Sequence, residues 1–298
     1  MIKVLLVEDD EADARRACDM LAEAGEGEIQ VTHVEKLSTA LRRLNRESFD
    51  AMLLHGELID THGLDVLDLL QAALARMPIV VLADQKDVGK ERQAIQRGIQ
   101  DVILKKQWTA EQLVRSVRHA VDRKQAEQHL SYLAQYDPLT ALANRALFRD
   151  RLVHALASAK RKKQEVGVVL LGLDRFNVLG ETLGPDGCDM LLKETADRLK
   201  QCMREVDTVA RLTGDEFTCL LEGITCRADM ETVARRVLAS ITRPFTVKGQ
   251  EVAVTASLGL AVYPLDGQQA DELLQQAQKA LTAAQESGGS SSQFPASP

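Results

Sequence analysis

Short aliphatic runs alternate with amphipathic stretches over residues 1–124. The intervening stretches place apolar residues three or four positions apart, which is the period of a helix packed on one face. Five such strand–helix units predict an α/β domain with a doubly wound, parallel, five-stranded sheet, whose functional groups lie at the carboxyl ends of the strands. The runs predicted as strands are residues 3–7, 30–34, 51–54, 79–82 and 101–104.

Residues 109–136 contain no Pro or Gly and repeat apolar residues at helical spacing, which predicts one long helix. Its middle is rich in charge, so it is a poor solitary helix and a reasonable element for pairing two chains. We therefore expect a helical linker at 123–136 and a homodimer. The alternative is a solvated connector.

From Asp137 onward the pattern changes to longer helices and hairpin-like strands. Mixed strands and helices around a central hairpin predict an α+β domain, a sheet with helices on its faces. The Ser- and Gly-rich end of the chain predicts a flexible tail. We place the domains at 1–122, 137–289 and, for the tail, 290–298. The elements predicted in the second domain are the strand VGVVLLGLD, helices at 188–202, 230–241 and 270–285, the hairpin VARLTGDEFTCLL and a strand pair turning at Lys248-Gly249.

Composition narrows the classes of function. The 298 residues fit two domains, and the net charge of −7 repels nucleic acid phosphates and anionic membranes. One Trp, three Tyr and six Phe leave few platforms for stacking bases. No apolar run approaches a membrane span, the N-terminus lacks a signal-peptide pattern, and the five cysteines form no CxxC pair. We expect a cytoplasmic protein that binds neither nucleic acid nor membrane.

The first domain resembles the response-regulator receiver domain. VLLVEDD matches the first strand and its acidic cluster, and PIVVLAD and DVILKK match strands four and five. The resemblance implies a flavodoxin-like sheet. It also implies that Glu8 and Asp9, beside Asp10, match the magnesium-binding carboxylates, and that Lys105 matches the lysine that neutralises phosphoryl oxygens.

Other receiver positions depart from that pattern. Phosphotransfer needs a carboxylate at the end of strand three, but the acceptor position is His55. The hydroxyl position is Ala83, and the position of the switch aromatic is Val102. An imidazole, neutral or cationic, would weaken magnesium binding. We expect no aspartyl phosphorylation, acidic residues that are paired with Lys105 or solvated, and a receiver that serves as a docking and dimerising module.

The second domain resembles the GGDEF domain, the catalytic module of diguanylate cyclases. The motifs DPLTALANR, LGLDRFNVLGETLGPDGCDMLL, RLTGDEF, SLGLAVYP and AQKALTAAQESGG occur in the family's order. The resemblance implies GTP, Mg²⁺ and cyclic di-GMP as ligands, with two domains meeting face to face. It gives Asp215 and Glu216 as retained catalytic positions, Asp215 being a metal ligand and base, and it gives Phe176, Asp189 and Asp215 as nucleotide-binding positions.

Six positions depart from the cyclase pattern. Gly172 replaces the metal-binding aspartate, and Thr213 adds a Cβ where the nucleotide approaches the turn. Asn177, Gln285 and Gly289 stand at positions where the family has cations. The loss of these three cations would cost several kcal/mol of triphosphate binding, at about 1.5–3 kcal/mol per charged hydrogen bond. We predict that this domain does not synthesise cyclic di-GMP. Any metal would depend on Asp174 and Asp215, and Mg²⁺ would be the cofactor of any bound nucleotide. The sixth departure is Gly180 at the guanine-binding asparagine.

Arg204-Glu205-Val206-Asp207 forms an RxxD sequence five residues before Thr213, the spacing of the family's product-inhibition site. A guanidinium can bind phosphate and guanine O6, and a carboxylate can accept the guanine N–H groups. With Arg235 as a third element, the sequence predicts a non-catalytic receptor or scaffold that binds cyclic di-GMP. The alternatives are an active diguanylate cyclase, a pure protein-interaction module, and the N-terminal part of a longer protein that ends in a phosphodiesterase-type domain.

Overall fold

A computed structural model of the chain describes residues 1–56, 65–84 and 88–296. The chain divides into two compact units, Met1–Leu130 (the first unit) and Ser131–Pro298 (the second unit). No helix within the described ranges combines the length and the apolar character that crossing a membrane requires.

The first unit is built on a sheet of five parallel strands in the order β2-β1-β3-β4-β5. The order reverses at β1, which lies between β2 and β3, and such a reversal opens a crevice at the carboxyl ends of the strands. The predicted parallel α/β fold is confirmed. The strands are β1 Ile2–Val7, β2 Ile29–Val34, β3 Ala51–His55, β4 Ile79–Ala83 and β5 Asp101–Leu104.

Helices cover both faces of this sheet. Successive residues of β1 enter opposite cores: Val4 and Leu6 pack on one face, Leu5 and Val7 on the other. A strand buried on both faces reads as a continuous aliphatic run, which explains the unbroken IKVLLV. The helices are α1 Glu11–Ala24, α2 Leu37–Leu44, α3 Asp65–Arg76, α4 Val88–Gln96 and α5 Ala110–Gln135.

The predicted long helix is α5, which continues unbroken from Ala110 to Gln135. Its first half packs into the core of the first unit through Leu113, Val117 and Val121. Every residue at 125–135 is exposed. The second half of α5 therefore has no apolar stripe buried against the described part of the chain.

The second unit contains a mixed sheet in the order β12-β11-β6-β8-β7. β6 pairs antiparallel with both β11 and β8, β7 closes a hairpin with β8, and β12 joins β11 in parallel. A separate hairpin joins β9 and β10 around the predicted Lys248-Gly249 turn. The strands are β6 Glu165–Leu173, β7 Thr208–Thr213, β8 Glu216–Ile224, β9 Phe245–Val247, β10 Gln250–Val252, β11 Ala256–Tyr263 and β12 Ser292–Gln293.

Helices lie on both faces of this second sheet, as predicted for an α+β domain. Val169 and Leu171 of β6 belong to one core and Val168 and Leu170 to the other. Gly259 of β11 permits the close approach of a helix, because a Cβ there would lie 2.0 Å from the carbonyl oxygen of Ala277. The helices are α6 Arg145–Lys162, α7 Phe176–Gln201, α8 Arg227–Ile241 and α9 Ala270–Glu286.

Two predictions for the second unit need correction. The helix expected at 188–202 begins at Phe176 and is broken at Gly184. Gly184 has a φ of 67° and a non-helical ψ, and Pro185 follows it. The tail expected to be flexible from residue 290 contains β12, because Ser292 and Gln293 pair with β11. The unpaired backbone N–H and C=O groups at the edge of β11 bind the backbone of these two polar residues. The composition of the tail does not predict this pairing.

Candidate functional site

Charged side chains converge at the carboxyl edge of the first unit's sheet. Glu8 follows β1, His55 ends β3 and Lys105 follows β5, and all three are buried. Asp9 and Asp84 reach the same point from the ends of β1 and β4. Because the carboxyl ends of parallel strands meet at one edge of the sheet, the fold itself brings these groups together.

His55 lies between three carboxylates. Its Nδ1 is 3.0 Å from Glu8 Oε1 and 2.8 Å from Asp9 Oδ1, and its Nε2 is 2.9 Å from Asp84 Oδ2. The bond with Glu8 contributes most to raising the pKa of His55 to about 9; burial opposes this rise, and the bonds with Asp84 and Asp9 add to it. The imidazole is therefore a cation at neutral pH.

Lys105 supplies the second cation of this edge. Its Nζ is 2.7 Å from Glu8 Oε2 and 2.9 Å from Asp13 Oδ2. Burial alone would lower the pKa of Lys105, but the bonds to Glu8 and Asp13 outweigh it and raise that pKa. Burial would likewise raise the pKa of Glu8, but the bonds to His55 and Lys105 hold it below its usual range. Both partners of the Glu8–Lys105 pair are thus charged.

The predicted acidic cluster assembles without Asp10. That side chain caps α1, where its Oδ1 accepts the backbone N–H groups of Ala12 and Asp13 at 2.9 Å each. Asp13 and Asp84 join the cluster although sequence analysis did not name them. Asp84 carries a usable signal, since it directly follows a strand at the same edge. Asp13 has no signal beyond its place in the first turn of α1.

In the second unit, the predicted signature lies at the turn between β7 and β8. Thr213 ends β7 opposite Glu216, and Gly214 takes the positive φ of 46° that the two-residue turn needs. The Thr213 hydroxyl donates to Glu216 Oε2 at 3.1 Å. Asp215 is half-buried, and burial, followed by the nearby Glu216 carboxylate, raises its pKa. Thr213 is therefore accommodated in the strand and occupies one oxygen of the neighbouring carboxylate.

Gly172 lies in the middle of the sheet beside this turn. It pairs with Glu216 of β8 on one side and with Ser257 of β11 on the other. A Cβ at Gly172 would lie 2.9 Å from Nε2 of Gln285, so the Gln285 amide fills the space that a side chain would enter. Two departures from the cyclase pattern are thus direct neighbours. Without a carboxylate at Gly172, the residues at this position do not fit a divalent metal ion.

The Asp174 carboxylate, two residues after Gly172, accepts hydrogen bonds from two neighbouring segments. Its Oδ2 accepts bonds from the Thr255 hydroxyl at 2.7 Å and from the Ser290 N–H at 2.9 Å. Its Oδ1 accepts a bond from the Ser257 hydroxyl at 2.8 Å. A Cβ at Gly289 would lie only 2.8 Å from Oδ2, so the glycine allows the chain after α9 to close on this carboxylate.

The other predicted nucleotide-binding residues lie along α7. Phe176 is half-buried against the core and Asp189 is exposed, on opposite sides of the break at Gly184. A Cβ at Gly180 would lie 3.6 Å from Cys188 Sγ, which is an ordinary contact. Position 180 therefore has room for a side chain, and glycine there removes a hydrogen-bonding group without relieving a clash.

The RxxD sequence forms one wall of an open cleft of about 310 Å³. Asp207 closes its turn by donating its N–H to the Arg204 carbonyl and by accepting the Arg204 N–H, at 3.0 and 2.9 Å. Lys200, in the last turn of α7, and Arg151 of α6 also line the cleft. Arg151 donates to the Thr208 hydroxyl at 3.1 Å. Three cations and two carboxylates, Glu205 and Asp207, therefore line one cleft.

Arg235, the third element expected from the sequence, lies on α8 and is not among the residues that line this cleft. Its guanidinium lies 3.5 Å from the Thr232 hydroxyl. Sequence analysis missed Lys200, which lies in the last turn of α7, whereas Arg204 follows the end of that helix. It also missed Arg151, for which the sequence carries no signal.

The entry motif at Asp137 is tied to the signature turn. Asp137 Oδ1 accepts the N–H and hydroxyl of Thr140 at 2.9 and 2.7 Å and the Arg211 guanidinium at 3.1 Å. Arg211 also donates twice to the Gly214 carbonyl, at 2.9 and 2.7 Å. Burial would raise the pKa of Asp137, but the bonds to Thr140 and Arg211 hold it below its usual range. The residues that follow α5 are thus bonded to the turn that carries Asp215.

Comparisons with known proteins agree with this division of the chain. The model of the family described as "Diguanylate cyclase, GGDEF domain" matches residues 134–291, and the model described as "Response regulator receiver domain" matches residues 4–118. The receiver match lies entirely within the first unit, and the GGDEF match lies entirely within the second unit.

Two curated relatives from Pseudomonas aeruginosa each match more than half of this chain. The bifunctional diguanylate cyclase/cyclic di-GMP phosphodiesterase MucR is 38% identical over 169 residues, which cover 57% of this chain and 24% of MucR. The cyclic di-GMP phosphodiesterase NbdA is 35% identical over 169 residues, covering 57% of this chain and 22% of NbdA. The chain therefore aligns with about a quarter of the length of these relatives.

A solved structure of the isolated GGDEF domain of TpbB from the same organism is similar in both sequence and fold. The two chains are 33% identical with a TM-score of 0.53, and the match covers 54% of this chain and 94% of the TpbB chain.

Proposed function

This chain belongs to the GGDEF family and carries a response regulator receiver domain ahead of its GGDEF domain, and from that premise we propose that it is a non-catalytic receptor for cyclic di-GMP. The observation that carries the proposal is the environment of Gly172. The position of the metal-binding aspartate has no carboxylate, and the Gln285 amide lies over it. Attack of a ribose hydroxyl on an α-phosphate requires metal ions held by carboxylates at this place.

The neighbouring carboxylates support the same reading. The Asp174 carboxylate accepts bonds from Thr255 and Ser257, at the start of β11, and from Ser290 after α9, so a metal ion would compete with those donors. Glu216 accepts the Thr213 hydroxyl. Asn177, Gln285 and Gly289 stand at positions where the family has cations for the triphosphate. An active cyclase would have to work through Asp174, Asp215 and Glu216 without these partners.

The RxxD cleft supports binding without turnover. Cyclic di-GMP carries two phosphodiester charges and two guanine bases. Arg204, Lys200 and Arg151 offer cations for the phosphates, and Asp207 offers a carboxylate for guanine N–H donors. This cleft is formed by α6, the end of α7 and the start of β7, and it shares no lining residue with the Gly172–Gln285 position. Loss of catalysis therefore leaves the receptor site intact.

Isothermal titration of the full chain with cyclic di-GMP tests this proposal. We expect saturable binding that weakens about 10- to 100-fold in Arg204→Ala, because a charged phosphate contact of about 1.5–3 kcal/mol is lost. Lys200→Gln should weaken binding by a smaller factor. Arg236→Ala, which removes an exposed guanidinium on α8, is the matched control and should bind like the parent chain.

Absence of binding, or equal affinity in Arg204→Ala, would reject the receptor site and leave a pure protein-interaction module. Titration with GTP and GDP in the presence of Mg²⁺ completes the panel. Tight Mg²⁺-dependent GTP binding that survives Arg204→Ala would instead support the active diguanylate cyclase.

We further propose that the chain acts as a homodimer that pairs through the exposed half of α5. Leu130 and Leu133 are 66% and 38% exposed there, and a second copy of the helix would cover them. The signalling output would come from a protein partner or from a phosphodiesterase-type domain of the same polypeptide, as the names of the longer relatives MucR and NbdA suggest.

A further inference from the structure

At the carboxyl edge of the first unit's sheet, the carboxylates of Glu8, Asp9 and Asp84 surround His55; we call this cluster the acidic edge. Its hydrogen bonds differ from those of a metal site. Both ring nitrogens of His55 face carboxylate oxygens: Nδ1 faces Glu8 and Asp9, and Nε2 faces Asp84. A carboxylate that is charged can only accept a hydrogen bond, so each nitrogen must carry a hydrogen to make these contacts favourable. The hydrogen-bond pattern alone therefore requires a doubly protonated, positively charged ring.

A magnesium ion does not fit this arrangement. Receiver domains imply Mg²⁺ between the paired carboxylates after the first strand and the carboxylate that ends the third, all of which are oxygen ligands. Here the Nδ1–H of His55 lies within 3.0 Å of both Glu8 Oε1 and Asp9 Oδ1, where an ion would have to lie. An N–H group cannot coordinate a cation, and the ring fills the space.

We propose that His55 is a built-in cation that replaces the divalent metal of the receiver and holds its acidic edge in one arrangement without metal or phosphoryl group. The Glu8 side chain is 1% exposed and that of His55 is 7% exposed, so the pair is shielded from water and its attraction is weakly screened.

The charges around His55 explain why one added cation suffices. The facing groups are the carboxylates of Glu8, Asp9 and Asp84, and Lys105 bridges Glu8 to Asp13 behind them. Within the described residues, four carboxylates thus share two buried cations. Replacing His55 by a carboxylate would leave five acidic groups with Lys105 alone, and a divalent ion would then be needed to balance them.

A transition metal is the competing occupant. Glu8, Asp9 and His55 offer ligand atoms within 4.8 Å of one another, and an unprotonated imidazole binds Zn²⁺ well. That ion would have to displace the Nδ1 hydrogen and open both contacts to Glu8 and Asp9. The preformed hydrogen bonds favour the protonated ring, and the experiment below includes the zinc outcome.

Thermal unfolding of the full chain, followed by Trp108 fluorescence, tests the proposal. Trp108 is the only Trp of the chain and is 3% exposed in the core of the first unit, so it reports this unit selectively. We expect the parent chain to unfold at the same temperature in EDTA, in about 10 mM Mg²⁺ and in a small excess of Zn²⁺. His55→Asp should unfold earlier in EDTA and should recover stability with Mg²⁺.

His55→Gln is the matched variant, because its amide N–H₂ can still donate to a carboxylate while the charge and the second donor position are removed. It should lower the midpoint by about 6–12 °C in every buffer, since unpairing a buried charge is costly. Stabilisation of the parent chain by Mg²⁺ as large as that of His55→Asp would overturn the proposal. Stabilisation of the parent chain by Zn²⁺, or a His55→Gln midpoint equal to that of the parent, would also overturn it.

A second measurement does not depend on the variants folding. The ¹⁵N chemical shifts of the His55 ring in the full chain at neutral pH distinguish a doubly protonated ring from a neutral one. Two protonated nitrogens are expected, whereas a neutral tautomer would overturn the proposal. Neither measurement involves cyclic di-GMP, so the outcome is independent of the receptor function proposed for the GGDEF domain.

Discussion

Asp174 shows how a single carboxylate near a catalytic position can serve the fold. Three donors from β11 and from the end of the chain converge on it. We expect Asp174→Ala to lower the free energy of unfolding by about 2 kcal/mol, because the buried hydroxyl of Ser257 loses its charged acceptor. Denaturant unfolding followed by circular dichroism measures this loss, with the exposed Asp197→Ala as the control. Equal stability of the two variants would contradict the structural role.

The pair Gly172 and Gln285 allows a gain-of-function test. Gly172→Asp would place a carboxylate beside the turn that carries Asp215 and Glu216, and Gln285→Ala would clear the amide from its path. We expect Mn²⁺ with GTP to raise the unfolding temperature of the double variant by about 3–6 °C, as ligand binding stabilises the native state. Circular dichroism in the presence and absence of the ligands provides the measurement.

Gln285→Ala alone is the matched control for this test, since it clears the space without adding a ligand. Its unfolding temperature should not respond to Mn²⁺ and GTP. An equal response in the control or in the parent chain would mean that metal-nucleotide binding survives without a carboxylate at position 172.

At the scale of the element, α5 changes its surroundings along its length. Its first half is buried in the first unit, whereas every residue at 125–135 is exposed. Most helical stability in proteins comes from packing of one face, so an exposed extension of three turns would gain stability from the second copy that we propose. Leu130 and Leu133 lie three residues apart and share a face.

We expect Leu130→Glu combined with Leu133→Glu to weaken dimerisation at least about 10-fold, because apolar area is lost and like charges are brought together. Sedimentation equilibrium of the full chain gives the dissociation constant. Ser131→Glu adds one charge away from this face and should leave the constant unchanged. An unaltered dimer in the double variant, or a monomeric parent chain, would contradict pairing through α5.

The elements that sequence patterns predict well are those with strong periodicity. The five parallel strands, the long helix α5 and the β7–β8 turn follow from runs of aliphatic residues and from the Gly-Asp pair. The break in α7 at Gly184 and the strand β12 were not predicted. The break has a local signal in the Gly184-Pro185 pair that the helical periodicity did not reveal, whereas β12 depends on a tertiary contact, since it forms against the edge of β11.

Candidate residues were predictable where strand ends converge and less so elsewhere. Glu8, His55 and Lys105 meet because parallel strands share one edge. The partners Asp13 and Arg151 come from helices, whose orientation relative to the sheet is not contained in any local pattern. Asp10 illustrates a second limit, since a carboxylate after a strand can enter the crevice or cap the next helix.

At the scale of the whole molecule, each unit retains its family's fold, and we propose that neither carries out the metal chemistry of that family. In the first unit the His55 ring lies between the carboxylates of Glu8, Asp9 and Asp84, and in the second the Gln285 amide lies over Gly172. The net charge of −7 is spread over the chain, whereas Arg151, Lys200 and Arg204 gather around one cleft. A small dianionic ligand is therefore favoured over a polyanion.

The central claim is that the GGDEF domain binds cyclic di-GMP without making it. The most direct test is to incubate the purified full chain with GTP and Mg²⁺ or Mn²⁺ and to quantify cyclic di-GMP by chromatography. Arg204→Ala is assayed in parallel, because it removes a cation from the cleft. Product bound in that cleft could otherwise mask the synthesis of cyclic di-GMP. We predict no product from either protein, and sustained accumulation of cyclic di-GMP by either one would contradict the account.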